Sequence, residues 1–98
     1  MTLKGKQKAY LRGLANRIDH RYLLGKNEPD EGFYEILDKA LEAKELIKVG
    51  ILQNSDQEKE ELCDLLKTRL DCEIVQLLGR VITIYRPSKK DPKIVLPK

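Results

Sequence analysis

Between Gly5 and Tyr85 the spacing of apolar residues switches back and forth between two periods. Leu11, Leu14, Ala15 and Ile18 fall at i, i+3, i+4 and i+7, the pattern of one buried helix face. Phe33, Ile36, Leu37, Ala40 and Leu41 repeat it, and so do Leu62, Leu65, Leu66 and Leu70, with Cys63 beside them. Four short runs lie between and after these stripes: Tyr22–Leu24, Leu46–Leu52, Cys72–Leu78 and Val81–Tyr85. They are too short for helices, and all but the first are rich in β-branched or aromatic residues. The chain is thereby bound to the order α-β-α-β-α-β-β.

Local signals set the expected boundaries. The first helix runs from about Gly5 to Ile18. Asp30 is the expected N-cap of a second helix, Glu31 to Lys44. Ser55 and Glu58 have the spacing of a capping box for a third, Asp56 to Leu70. Gly25-Lys26-Asn27-Glu28-Pro29 breaks the chain after the first strand, and Gly79-Arg80 fits a two-residue hairpin turn with glycine first. Strands joined through helices imply parallel pairing with right-handed crossovers, and the closing hairpin is antiparallel. The expectation is an α/β domain with a four-stranded mixed sheet. Leu46–Leu52, apolar on both faces, should be central in it. Residues 1–98 suffice for one core, so they form one domain, with a basic extension from about 87 onward. Within that extension Ile94-Val95-Leu96 either adds an edge strand or lies on the core.

The formal charge of +3 conceals a segregation. Residues 1–28 carry seven Lys/Arg against two acids, and residues 72–98 carry six against two. The middle, 29–71, carries twelve acids against six bases. No acid precedes Asp19, so the first helix has a cationic rim: Lys8 and Arg12 flank its apolar stripe on one side, Lys6, Tyr10 and Arg17 on the other. If the fold gathers the two chain ends, they make a basic stripe that attracts polyanions.

Chemistry is harder to find. Cys63 and Cys72 stand nine apart with no second pair, and His20 is the one histidine, so there is no zinc framework. Two reduced cysteines in a cytoplasmic protein are the simple reading. His20, between Asp19 and Arg21, has no nucleophile beside it and reads as a surface residue. Gly25-Lys26 lacks the earlier glycine and the Ser/Thr of a nucleotide-triphosphate loop. No apolar run reaches membrane length, and the N-terminus carries no apolar signal segment. The expectation is a non-enzyme without cofactor or metal. Gly25 after a strand, with Lys26 and Asn27 before a helix, can be a phosphate seat or a plain turn.

Several stretches together resemble the CRM family, named for chloroplast RNA splicing and ribosome maturation and also called YhbY-like. They are Gly5-Lys6-Gln7-Lys8-Ala9-Tyr10-Leu11-Arg12-Gly13-Leu14-Ala15, Leu24-Gly25-Lys26-Asn27, Glu31-Gly32, Ala40 through Val49, Leu78-Gly79-Arg80 and Ile84-Tyr85-Arg86-Pro87-Ser88-Lys89. The resemblance covers essentially the whole chain. It implies a fold similar to the C-terminal domain of bacterial translation initiation factor three. It also implies RNA as partner, and for a stand-alone bacterial member a place in assembly of the large ribosomal subunit. The family's loop is Gly-x-x-Gly; Gly25, Lys26 and Asn27 match it, and Glu28 stands where the second glycine would be. Either the Glu28 side chain points away from RNA, or contact shifts to the first helix and to Arg80 and Arg86.

The expected RNA-binding set is therefore Lys8, Arg12, Gly25, Lys26, Asn27, Arg80 and Arg86, acting as a monomer on the phosphates of structured RNA. Tyr10 and Tyr22 are candidates for stacking or for the core, and Tyr85 belongs to the core. A rival reading is a protein-interaction adaptor that uses the acidic second and third helices.

Overall fold

The computed structural model describes residues 2–25, 29–52 and 58–98. The order of elements is the expected one: α1 (Gly5–Ala15), β1 (Tyr22–Leu24), α2 (Glu31–Lys44), β2 (Leu46–Ile51), α3 (Lys59–Leu70), β3 (Glu73–Leu78) and β4 (Val81–Tyr85). The strands form one mixed sheet in the order β1-β2-β4-β3. β1 pairs parallel with β2, and the other two pairings are antiparallel. β2 is central, as its apolar faces require.

Strand alternation sends side chains to two different cores. Ile47, Val49 and Ile51 of β2, with Ile82 and Ile84 of β4, pack against α2 and α3. Leu46 and Tyr85 point the other way and meet Leu11 and Ala15 of α1. The C-terminal segment shares this second layer: Ile94 and Leu96 lie on its core rather than adding a strand, and Gln7 Nε2 donates to the Pro97 carbonyl at 3.0 Å. The two chain ends thus meet on one face of the sheet.

Two stripe residues do not follow the expectation. Ile36 is 54% exposed and Leu65 is 40% exposed. The reason is the same in both helices. The buried arc of α2 runs over Phe33, Tyr34, Leu37, Ala40 and Leu41, and that of α3 over Leu62, Leu66 and Leu70 with Cys63 partly packed. At about 100° per residue, Ile36 and Leu65 lie on the far edge of each arc. Tyr34 takes the place Ile36 was given, and Arg69 of α3 stacks on its ring, 4.3 Å from the centroid.

Boundaries shift modestly. α1 stops at Ala15 rather than Ile18, and the chain leaves it through i→i+3 bonds from the Arg17 and Ile18 amides to Leu14 and Ala15. Asp30 caps α2 through Oδ1, which accepts from the Phe33 amide at 2.8 Å. Glu58 is itself the extended N-cap of α3 instead of its third residue; Ser55 and Asp56 lie outside the described residues. Gly79 takes φ +59° and opens the β3–β4 turn as expected.

Candidate nucleic-acid interface

Lys4, Lys6, Lys8, Arg12 and Arg17 come from α1 and its flanks, and no acid lies within the helix. Lys8 is half-buried and Arg12 exposed, one turn apart. Their helix docks through Leu11 and Ala15 near the end of the sheet where β2 begins and β4 finishes.

A second group gathers at the opposite end. Leu52 follows β2, and its amide donates to the Leu24 carbonyl at 3.1 Å, next to Gly25. The Arg80 carbonyl accepts from the Ile51 amide at 2.7 Å, and the exposed Arg80 guanidinium reaches the Leu52 carbonyl at 3.4 Å. The structure therefore brings Gly25 and the hairpin arginine to either side of Leu52. Lys26 and Asn27 fall outside the described residues. The two groups are separated by the length of β2, roughly 20 Å for six residues.

Arg86 does not belong to either. It was expected to face phosphate, but it is 8% exposed and directed inward. One terminal nitrogen donates to Asp38 Oδ1 at 2.7 Å and to the Leu70 carbonyl at 2.9 Å, and the other donates to the Asp38 carbonyl at 3.1 Å. It ties the end of β4 to α2 and to the C-terminus of α3. The carbonyl ending α3 needs a donor, and a buried arginine supplies it.

Tyr10 stands 43% exposed on α1. Tyr22 is half-buried, with His20 edge-on to its ring at 4.6 Å and the Lys44 ammonium 5.8 Å from its centroid. Tyr85 is buried, as expected. Both cysteines are free thiols, and burial pushes Cys72 up to about 12, which leaves it inert.

Two cations were missed. Lys48 sits in the middle of apolar β2 on the α1 side, and its ammonium donates to the Ile18 carbonyl at 2.9 Å. Arg21 lies on the same side, over Gly50. A lone lysine at an even position among Leu46, Ile47, Val49 and Ile51 was the readable signal, because alternation sends it away from the α2–α3 core.

Among known families, the CRS1 / YhbY (CRM) domain matches residues 3–86. The chain belongs to the CRM family. This CRM domain is 36% identical over 95 residues to a Bacillus subtilis protein named probable RNA-binding protein YqeI, covering 97% of this chain and 99% of that one. A Haemophilus influenzae protein named RNA-binding protein is 34% identical, covering 99% and 97%. The solution structure of SAV1595 from Staphylococcus aureus superimposes with a TM-score of 0.80 at 45% identity, over 98% of this CRM domain and all of that chain. Among the described residues no helix is long and apolar enough to cross a membrane, and no cluster of His, Cys, Asp or Glu could hold a metal.

Proposed function

We propose that this CRM domain binds structured RNA through its phosphates and acts on ribosomal RNA during assembly of the large subunit. The observation that carries the binding is the placement of charge: α1, free of acids, and the basic C-terminal segment share one side of the sheet, while acidic α2 and charge-balanced α3 occupy the other. Relatives named as RNA-binding support the same partner. The ribosomal assignment rests on the family resemblance.

Lys8 and Arg12 neutralise phosphates along α1, and Arg80 does so at the hairpin end. Gly25 lets backbone approach closely at the start of the loop, with Lys26 and Asn27 retained on the resemblance. These groups position RNA and carry no base code, so recognition is by shape. No reaction is involved.

Titration of a ribosomal RNA fragment at several salt concentrations tests the mode. With about four phosphate contacts the logarithm of affinity falls with the logarithm of salt, with a slope of roughly −3 for single strands and steeper for duplex. Affinity that is flat across salt overturns it. Crosslinking and sequencing in cells tests the assignment, with reads expected on large-subunit ribosomal RNA; reads confined to other transcripts overturn that part alone.

A further inference from the structure

The stretch of sheet between the two cationic groups is uncovered. α1 ends at Ala15 and shields only the half of the sheet around Leu46, Val75 and Tyr85. Beyond it the α1 side of β2, β4 and β3, with Arg21 before β1, forms a cleft of about 270 Å³ lined by Arg21, Lys48, Gln76, Leu78, Val81 and Thr83. That is near the lower end for small-ligand sites. Thr83 makes the floor, 3% exposed, and Leu78 stands 68% exposed at the rim. Leu23, 55% exposed, lies beside it over Gly50, whose missing Cβ leaves room for Leu23 and Arg21 to cross the strand.

The chemistry of this surface differs from that of α1. It is a cleft that mixes apolar Leu78 and Val81 with two cations and the amides of Asn16 and Gln76, with no acid among its lining residues. A duplex presents phosphates and shields its base faces, so it has no use for exposed Leu23 and Leu78 with half-buried Val81 beside them. An unpaired nucleotide has an apolar base face, polar base edges and a phosphate, and each has a counterpart here. Aliphatic side chains can pack the face, and the Arg21 guanidinium can stack on it. Gln76 offers a donor and an acceptor to a base edge. Lys48 gives one proton to the Ile18 carbonyl and has others for phosphate or ribose.

We infer that the open half of the sheet seats unpaired RNA nucleotides running from α1 toward the Gly25–Arg80 end. This rests on the RNA-binding reading and adds to it a preference for single-stranded segments flanking a helix. Anisotropy titrations with a blunt RNA hairpin and with the same hairpin bearing a single-stranded flank test it. The flanked RNA binds tighter, by roughly five- to tenfold, the lower range of base stacking on a protein surface. Gln76→Ala with Leu78→Ala, which changes no charge and truncates an exposed leucine, removes most of that gain and moves blunt-hairpin affinity far less. In the wild-type protein the methyl resonances of Leu23, Leu78 and Val81 shift with the flanked RNA and not with the blunt one. Equal affinity for both RNAs, or unmoved methyl resonances in a formed complex, overturns the inference and leaves RNA binding standing. Failure of both RNAs to bind overturns the RNA-binding reading itself.

Discussion

The two sides of the sheet divide stability and charge between them. Among the described residues fifteen buried ones form one core on the α2–α3 side, and the helices that cover it expose six acids against four cations. On the α1 side six buried residues suffice, half the sheet stays open, and cations dominate. On the proposed reading the α1 side meets a polyanion and stays partly open, so the larger core holds the fold. Arg86 sits at the end of β4 but serves the α2–α3 side, where Asp38 and the Leu70 carbonyl take up its guanidinium.

Large-to-small changes in the two cores break this comparison most directly. Leu66 and Leu11 are both fully buried. Leu66→Ala leaves a cavity in the closed core and costs about 3–5 kcal/mol, whereas Leu11→Ala lies in the smaller core, one turn from the cleft-lining Ala15, where neighbours can adjust, and costs about 2–3 kcal/mol. Urea unfolding measures both. Equal losses, or a larger loss for Leu11→Ala, would mean that the α1 side carries the fold.

A device at the C-terminus of α2 joins the two sides. Glu45 has φ +68°, where glycine is usual, and it is 1% exposed. Its carboxylate accepts from the amides of Ser88, Lys93 and Ile94, each at 2.8 Å, and Glu42 accepts from Lys89 and Lys90 amides. The strain is held because the side chain pins the C-terminal segment. Glu45→Ala leaves three amides without their acceptor and costs about 2 kcal/mol, limited by release of the segment into water. Amide exchange at Ser88, Lys93 and Ile94 accelerates while β2 and β4 stay protected. Acid loosens the same latch. The backbone donor of Lys89 and the Ser88 hydroxyl hold Glu42 down at about 2. Burial opposes ionisation of Glu45, but its backbone donors outweigh it and lower its value too. A carboxylate depressed in the folded state stabilises fully above its ordinary value near 4.5 and loses that contribution as pH falls through the folded value. Protection of the segment, taken relative to the intrinsic amide exchange rate at each pH, should therefore fall between about pH 4.5 and 2 while β2 and β4 keep theirs, and an unchanged protection profile would remove the latch.

Element order, strand centrality and the hairpin were legible because periodicity and turn chemistry are local properties. The errors at Ile36 and Leu65 arose because spacing fixes which residues share a face but not where a neighbouring helix centres it; Tyr34 under Arg69 sets that for α2. Arg86 was misplaced for a related reason: nothing in Tyr85-Arg86-Pro87 says that Asp38, 48 positions away, faces it. The open half of the sheet was hidden because its residues come from three strands and the residue before β1, and only the sheet's register brings Arg21, Lys48, Thr83 and Gln76 together.

Replacing Lys8 and Arg12 together with Ala sharpens the contrast at smaller scale. Both lie at the rim of α1, so folding stability changes within about 0.5 kcal/mol. RNA affinity falls by roughly tenfold, equal to about 1.4 kcal/mol, and the salt slope becomes shallower by about two contacts. A folded double variant with unchanged affinity would place RNA away from α1.

The smallest effect belongs to the acidic side. Glu61→Gln with Asp64→Asn raises the formal charge by two on the outer face of α3, beside exposed Leu65. Gross electrostatics predicts tighter RNA binding from any such change; placement across the sheet predicts almost none. The molecule is 23 Å across its shortest axis, so these acids lie on the order of 20 Å from RNA seated on α1. At that distance one pair of charges in water contributes about 0.2 kcal/mol before screening. A Debye length near 8 Å at physiological salt reduces it by roughly another factor of ten. Summed over two acids and about four phosphates, the change stays below twofold at physiological salt and grows only as salt is lowered. A tenfold gain at physiological salt could not come across the sheet. It would mean that RNA reaches α3 itself, and that the charge division between the two sides is not what positions it.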